Sequence, residues 1–328
     1  MLNRSWLSVC HAFLIIAGTF AASVGSAHAD APTGIEFTPI AYIPGRGGIQ
    51  LIKVRVNRTQ TATFAFDSGT NYSVISDEVV KRLGIKPFVA LTSSGKPKDA
   101  PEAGKPTYRA LIPSVAVGGI AVLNSPFVVV RARSLSAAFG KSVDGALGAN
   151  VAAKLPILLD FQKHQLTFLR HSPSPDELKA LGMEGASAVP VTDIDKSSHY
   201  KFPIKVTSEG ISAEGVMLVD TGSDQTYLSA SLAAQLHLKP QGNGLLSTFY
   251  GPVPTSYTVG PTLRFGEITL GDLPVNYVDK PEAISPFNNN VLGLDVLSYF
   301  RVLLDYPGGK IYFQPSTAGA APPATEAK

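Results

Sequence analysis

Residues Phe64 to Ser76 read FAFDSGTNYSVIS. The first three residues are an apolar run suited to a buried strand. That strand delivers a carboxylate, then a hydroxyl, then a glycine. A carboxylate at the end of a buried strand is costly unless its charge is managed, so Asp67 needs a partner. The chain supplies a second copy of the same arrangement. Gly215 to Pro240, GVMLVDTGSDQTYLSASLAAQLHLKP, parallels Thr61 to Pro87, TATFAFDSGTNYSVISDEVVKRLGIKP. Asp67 maps to Asp220, Gly69 to Gly222, Ser76 to Ser229 and Pro87 to Pro240, all at an offset of 153.

The parallel continues downstream. Val115 to Phe127 pairs with Leu263 to Val275 at an offset of 148, and Gly145 to Leu169 with Asn290 to Gln314 at 145. Gly148 maps to Gly293 and Asp160 to Asp305 in that last block. Each fall in offset is a shortened connection, which loops tolerate. The expected organisation is therefore an N-terminal lobe over 30–170, a linker over 171–189, a C-terminal lobe over 190–315 and a disordered tail over 316–328. Within each lobe the residues read mainly as β. IQLIKVRVN and FPIKVTS alternate apolar and polar. Ser76 and Ser229 stand as N-caps of short helices, further short helices are expected after Gly148 and Gly293, and LLDFQKHQLTFL and LLDYPGGKIYF read as closing hairpins. In the linker, Ser174-Pro175-Asp176-Glu177 has the capping Ser, early Pro and early acids of a helix start.

Two like lobes in one chain tend to pack about a pseudo-twofold axis. With each Asp-Ser/Thr-Gly turn at that axis, Asp67 and Asp220 face each other. Two carboxylates a few ångströms apart cannot both ionise cheaply, so they share a proton. One then serves as general base toward a water, and the other donates to a substrate carbonyl. Gly69 and Gly222 let backbone amides approach without a Cβ in the way. Ser68, Thr70, Thr221 and Ser223 carry hydroxyls able to bond carboxylate oxygens or bridge the lobes.

DSGT with Ala146-Leu147-Gly148, and DTGS with Val291-Leu292-Gly293, resemble the signature of the pepsin/retropepsin superfamily of aspartic peptidases. The resemblance covers nearly the whole mature region and is greatest to bacterial proteins with two retropepsin-like halves in one polypeptide. It implies a mainly β, bilobal pepsin-like architecture of two pseudo-twofold-related β-barrel lobes with a few short helices. It implies Asp67 and Asp220 as the catalytic pair, no metal and no cofactor, and an extended polypeptide as substrate. It also assigns inter-lobe hydrogen bonds to Ser68 and Thr221, places Thr70 and Ser223 near the outer carboxylate oxygens, and sets Gly148 and Gly293 in elements that thread beneath the catalytic turns. The pepsin branch carries a tyrosine in a flap over the site. Tyr108 is the first-lobe position for it, and Tyr250 and Tyr257 lie in the corresponding second-lobe segment. The chain departs from animal pepsins in having no disulfide in the mature region and no basic pro-segment before the first strands.

The first 29 residues read as a signal peptide: Arg4 near the start, an apolar stretch around Ala12 to Ala22, and Ala27-His28-Ala29 before the mature start at Asp30. The expected location is the periplasm or the exterior, with no stable membrane insertion after cleavage. Cleavage removes the only Cys (Cys10), the only Trp (Trp6) and Arg4, leaving a net charge of +2 from the full chain's +3. That balance, with scattered basic residues, excludes a nucleic-acid partner. Thiol chemistry is excluded with the cysteine. No His sits in an HExxH spacing, and no GxSxG elbow is present. Pro44 to Gln50, PGRGGIQ, lacks the GxGxxG spacing and reads as a hairpin turn. Asp160 and Asp305 end apolar strands without a following Ser/Thr-Gly, so they read as turn or capping residues. Two functions remain: an aspartic endopeptidase active as a single chain, and a non-catalytic periplasmic protein that binds a peptide or cell-wall fragment in the same cleft.

Overall fold

The computed structural model describes residues 39–90, 107–192, 199–248, 251–277 and 289–316. The first 38 residues (with the expected signal peptide), Tyr250 and nearly all of the expected C-terminal tail lie outside them. The chain is mainly β, in two lobes joined by a shared sheet.

Each lobe is built around one sheet of the same design. In the N-lobe, Gln50–Val56 and Gln60–Phe66 form a hairpin. Gly145–Leu147 then runs parallel to Gln60–Phe66, matching Phe64 to Gly145, Ala65 to Ala146 and Phe66 to Leu147. Val74–Ser76 lies antiparallel on its other side. The long hairpin of Tyr108–Val117 and Ile120–Val130 follows, and Tyr108–Val117 also pairs back to Gln50–Val56. The C-lobe repeats the arrangement. Ile211–Val219 pairs antiparallel with Lys201–Ser208 and parallel with Asn290–Leu292. Tyr227–Leu228 sits between Asn290–Leu292 and Pro274–Tyr277. A hairpin of Gly242–Thr248 and Gly251–Val259 extends the edge.

The closing hairpins from the two lobes meet edge to edge. Ile157–Asp160 pairs antiparallel with Phe300–Asp305, matching Ile157 to Leu304 and Asp160 to Arg301. The joint is a six-stranded sheet in which Ser187–Pro190, at the boundary between the expected linker and the C-terminal lobe, forms an outer strand against Lys310–Pro315. Those backbone groups need partners once they lie against a sheet edge, so the connector is spliced into the fold. Arg301 rivets the same joint. Its Nε donates to Asp160 Oδ2 at 3.0 Å, and its Nη1 and Nη2 donate to the carbonyls of Gly182 and Leu181.

The caps form as their residues dictate. Ser76 Oγ accepts from Val79 N and Ser229 Oγ from Leu232 N, starting Asp77–Arg82 and Ala230–Gln235. Ser174 and Glu177 form a full capping box on Pro175–Ala180. One-turn helices follow Gly148 and Gly293, at Ala149–Ala152 and Leu294–Leu297. A helix at Ala132–Phe139, with Leu135 and Phe139 buried, is an addition that the β-rich pattern around it did not suggest. Ser316, placed in the tail by composition, is tied to the C-lobe by its amide, which donates to Tyr299 O.

Candidate active site

The two Asp-Ser/Thr-Gly turns are held by their own strands and by the strand beneath. The Asp67 amide donates to Leu147 O at 3.0 Å, and the Asp220 amide to Leu292 O at 3.1 Å. Just beyond, the Ala149 amide donates to Thr70 O and the Leu294 amide to Ser223 O. Each turn is thus pinned on both sides by the apolar-apolar-Gly segment of its lobe. A Cβ on Gly148 would lie 2.7 Å from the Tyr72 carbonyl carbon, and one on Gly293 would overlap the Gln225 backbone. Only glycine lets those segments thread so closely.

Asp67 is 5% exposed and Asp220 is half-buried. The two turns interlock, each carboxyl lying against the glycine of the opposite turn. Asp67 Oδ1 accepts from the amides of Gly69 at 3.0 Å and Thr70 at 3.1 Å; Asp220 Oδ1 accepts from Gly222 at 2.8 Å. Gly69 lies against the Asp220 carboxylate, where any Cβ would overlap it, and a Cβ on Gly222 would stand 2.5 Å from Asp67 Cγ. Burial, then the Asp220 charge, push Asp67 well above the usual carboxylate range, against the pull of the Gly69 and Thr70 amides. Burial raises Asp220 to about 6, against the Gly222 amide and the Asp67 side chain. The pair therefore holds a proton at pH values where isolated carboxyls have lost theirs.

The hydroxyls between Asp and Gly cross the lobe boundary reciprocally. Ser68 Oγ donates to Val219 O at 2.7 Å and accepts from the Thr221 amide at 3.1 Å. Thr221 Oγ1 donates to Phe66 O at 3.0 Å and accepts from the Ser68 amide at 3.0 Å. Thr70 contributes its amide to Asp67, whereas Ser223 directs its hydroxyl to Gln225 O at 2.8 Å. Ser223 stays beside the Asp220 carboxyl through its backbone amide, which helps to lower that group's pKa, while its Oγ is engaged by its own loop.

A supporting pair was missed from sequence. Asn150 Oδ1 accepts from Ser73 N and Ser73 Oγ, and Ser73 Oγ accepts in turn from the Gly148 amide at 2.9 Å. In the C-lobe, Asp295 accepts from Thr226 N and Thr226 Oγ1, and Thr226 Oγ1 accepts from the Gly293 amide at 3.0 Å. These residues hold the threading segment to the loop after each Asp turn. Their signal was available: Ser73 and Thr226 are related by the offset of 153, and Asn150 and Asp295 by 145. Asp295 is raised chiefly by burial, against its Thr226 bonds.

Tyr108 begins the strand Tyr108–Val117 opposite Val89 and is 45% exposed. No described interaction joins it to the dyad. Tyr257 lies in the second-lobe hairpin. The tyrosine set beside the pair is Tyr227, buried in Tyr227–Leu228, whose hydroxyl is held neutral by burial and by the charges of Asp220 and Asp67. Asp160 and Asp305 accept the amides of Lys163 and Gly308 as turn residues do, with Arg301 and Ser172 added across the fold. His164 takes a left-handed turn conformation beside the Tyr42 ring. Among the described residues, no group of three or more His, Cys, Asp or Glu is placed to hold a metal ion, and no helix is long and apolar enough to cross a membrane.

A proton-sharing carboxylate pair at the seam of two like β lobes, each Asp turn clamped by its own threading strand, defines the bilobal aspartic-dyad class of protein. The family model described as aspartyl protease matches residues 52–151 and again 204–296, one match per lobe. The chain belongs to the aspartyl protease family, and its membership supports a protease-type function. No curated protein matches the chain.

Proposed function

We propose that the protein is an aspartic endopeptidase in which Asp67 and Asp220 together activate a water. The observation that carries this is the interlocking of the two Asp turns, Gly69 against the Asp220 carboxylate and Gly222 against that of Asp67, which sets the two carboxyls side by side, both raised above their ordinary range. In such a pair the ionised carboxylate takes a proton from water as the water oxygen attacks the peptide carbonyl carbon. The protonated carboxyl donates to the carbonyl oxygen. The resulting gem-diol collapses with cleavage of the C–N bond, and a proton from the pair reaches the leaving amine nitrogen. Pre-set amides of Gly69, Thr70 and Gly222 hold the carboxylates in place through these transfers. The substrate is a polypeptide in extended form, its backbone paired along hairpin edges above the dyad. One chain supplies both halves of the site, so a monomer is sufficient for activity. The N-terminal segment directs it to the periplasm or the exterior.

The test is digestion of a denatured protein mixture across pH 3 to 8 by the wild type and by folded Asp67→Asn and Asp220→Asn variants. Cleavage by the wild type, absent from both variants, is the expected result. Full activity in either variant refutes the dyad. A folded wild type that cuts nothing refutes the peptidase.

A further inference from the structure

The buried apolar layers beside the two Asp turns are filled differently. Side chains two apart on a strand share a face, and directly paired residues on neighbouring strands share it too. Ala65 lies two residues before Asp67, pairs with Ala146, and Ala146 pairs with Val74. Leu218 lies two residues before Asp220, pairs with Val291, and Val291 pairs with Tyr227. The same register positions thus carry Ala, Ala and Val in the N-lobe but Leu, Val and Tyr in the C-lobe. Both layers are buried, but the C-lobe layer holds about ten more side-chain heavy atoms, more than a leucine side chain contains.

The C-lobe layer is also covered. Leu218, Tyr227 and Val291 form a separate apolar cluster with Leu246, and Val253 packs against it. Leu246 and Val253 face each other near the tip of the hairpin Gly242–Thr248/Gly251–Val259. Gly242 is level with Tyr257, and hence with Asn276 and Tyr227, along the sheet. Leu246 is four residues further out, which at about 3.3 Å per residue is roughly 13 Å along a straight strand. It reaches the cluster only because the hairpin bends back over the face that carries Asp220. Gly244 permits the bend: a Cβ there would overlap the Asn276 side chain. Leu245, on the other face, is 57% exposed.

We infer that the Asp220 side of the cleft is a filled subsite, closed by Tyr227, Leu218 and the hairpin residue Leu246, which restricts the substrate to a small side chain on one fixed side of the scissile bond. This rests on the proposed peptide-cleaving function. A substrate Gly, Ala or Ser fits beneath the hairpin. A Leu or Phe at that position would have to displace the apolar cluster and lift the hairpin with it.

The experiment reads cut sites by mass spectrometry from a proteome-derived peptide library, for the wild type, Tyr227→Val and Leu246→Ala. The expected wild-type result is that Leu, Phe, Met and Tyr are at least about tenfold rarer on one side of the cut than on the other. Either variant should raise the acceptance of Leu over Ala on that side by about tenfold, with the other side unchanged. Two variants, on separate elements, guard against the misfolding of one. Bulky residues accepted equally on both sides by the wild type, or ratios unmoved in both folded variants, overturn the inference. Selection of the same library by binding to Asp220→Asn and to Asp220→Asn/Tyr227→Val separates the two claims. A small-residue position that relaxes in the second protein supports the filled subsite even where the wild type cuts nothing and the peptidase reading has failed. Identical selections overturn it.

Discussion

Replacing Thr221 by valine tests the seam between the lobes. Valine keeps the outline of threonine but replaces the hydroxyl with a methyl group. Thr221 is wholly buried, and its Oγ1 both donates to Phe66 O and accepts from the Ser68 amide at 3.0 Å. The substitution therefore orphans two backbone groups of the opposite lobe where water has no access. Each buried unsatisfied group costs about 1–3 kcal/mol, so the pair costs about 2–6 kcal/mol. That is a large share of the roughly 5–15 kcal/mol that holds a folded chain together. At about 2–4 °C per kcal/mol, a loss near the middle of the range lowers Tm by roughly 8–16 °C. Thr221→Ser is the control: it keeps both bonds and loses one methyl group, about 1 kcal/mol. Thermal and urea unfolding of the three proteins measure the difference. Because Ser68 makes the reciprocal bonds to Val219 O and the Thr221 amide, Ser68→Ala and Thr221→Val should be non-additive, the double variant losing less than the sum. Equal stability of Thr221→Val and Thr221→Ser would refute the claim that these bonds hold the lobes together.

Three other outcomes follow from the same geometry. Both dyad carboxyls sit above the ordinary aspartate range, Asp220 at about 6 and Asp67 well above its usual value. The folded state then binds protons more readily than the unfolded state, so their contribution to stability is complete below about pH 4 and is lost as pH rises through 6. Tm of Asp67→Asn relative to wild type should accordingly be higher at pH 7 than at pH 4, and a constant difference across that range would contradict the shared proton. Asp295→Asn should gain stability at pH 7 relative to pH 4 on the same sign argument, because Asn150 performs the equivalent bonding in the N-lobe without a charge, whereas Asp295→Leu should lose about 2–6 kcal/mol by orphaning the Thr226 amide and hydroxyl. Arg301→Met should cost about 2–3 kcal/mol in urea unfolding, and Arg301→Lys should recover little of it, since a single ammonium cannot span Asp160 Oδ2 and the carbonyls of Leu181 and Gly182.

The dyad was legible because its chemistry needs the same residue types in the same local backbone twice. Asp67 and Asp220 stand out through the offset they share with Gly69 and Gly222, and the caps at Ser76, Ser174 and Ser229 are local features that need only their neighbours. The supporting bonds of Ser73 to Asn150 were harder to see, because the two residues are 77 apart and meet only when one strand threads beneath a turn. The partner of the Ser223 hydroxyl was hidden for a related reason: it is set by the path of its own loop, which leads it to Gln225 O. Ser187–Pro190 looked like connector because a strand on the outside of a sheet carries little pattern of its own.

By itself, the sequence determined the doubling of the chain, the mainly β character of each half, the two aspartates and the glycines that crowd them. These are properties of short segments, written in residue type and spacing. Tertiary structure alone decided that the closing hairpins fuse into one sheet, that Arg301 pairs with Asp160 across it, and that Leu246 of the C-lobe hairpin packs with Tyr227, Leu218 and Val291 while Val74 stands at the register position matching Tyr227 in the N-lobe. Those outcomes depend on which distant strands share an edge and which side chains a bend brings together, and burial rewards such contacts only once both lobes have folded against each other.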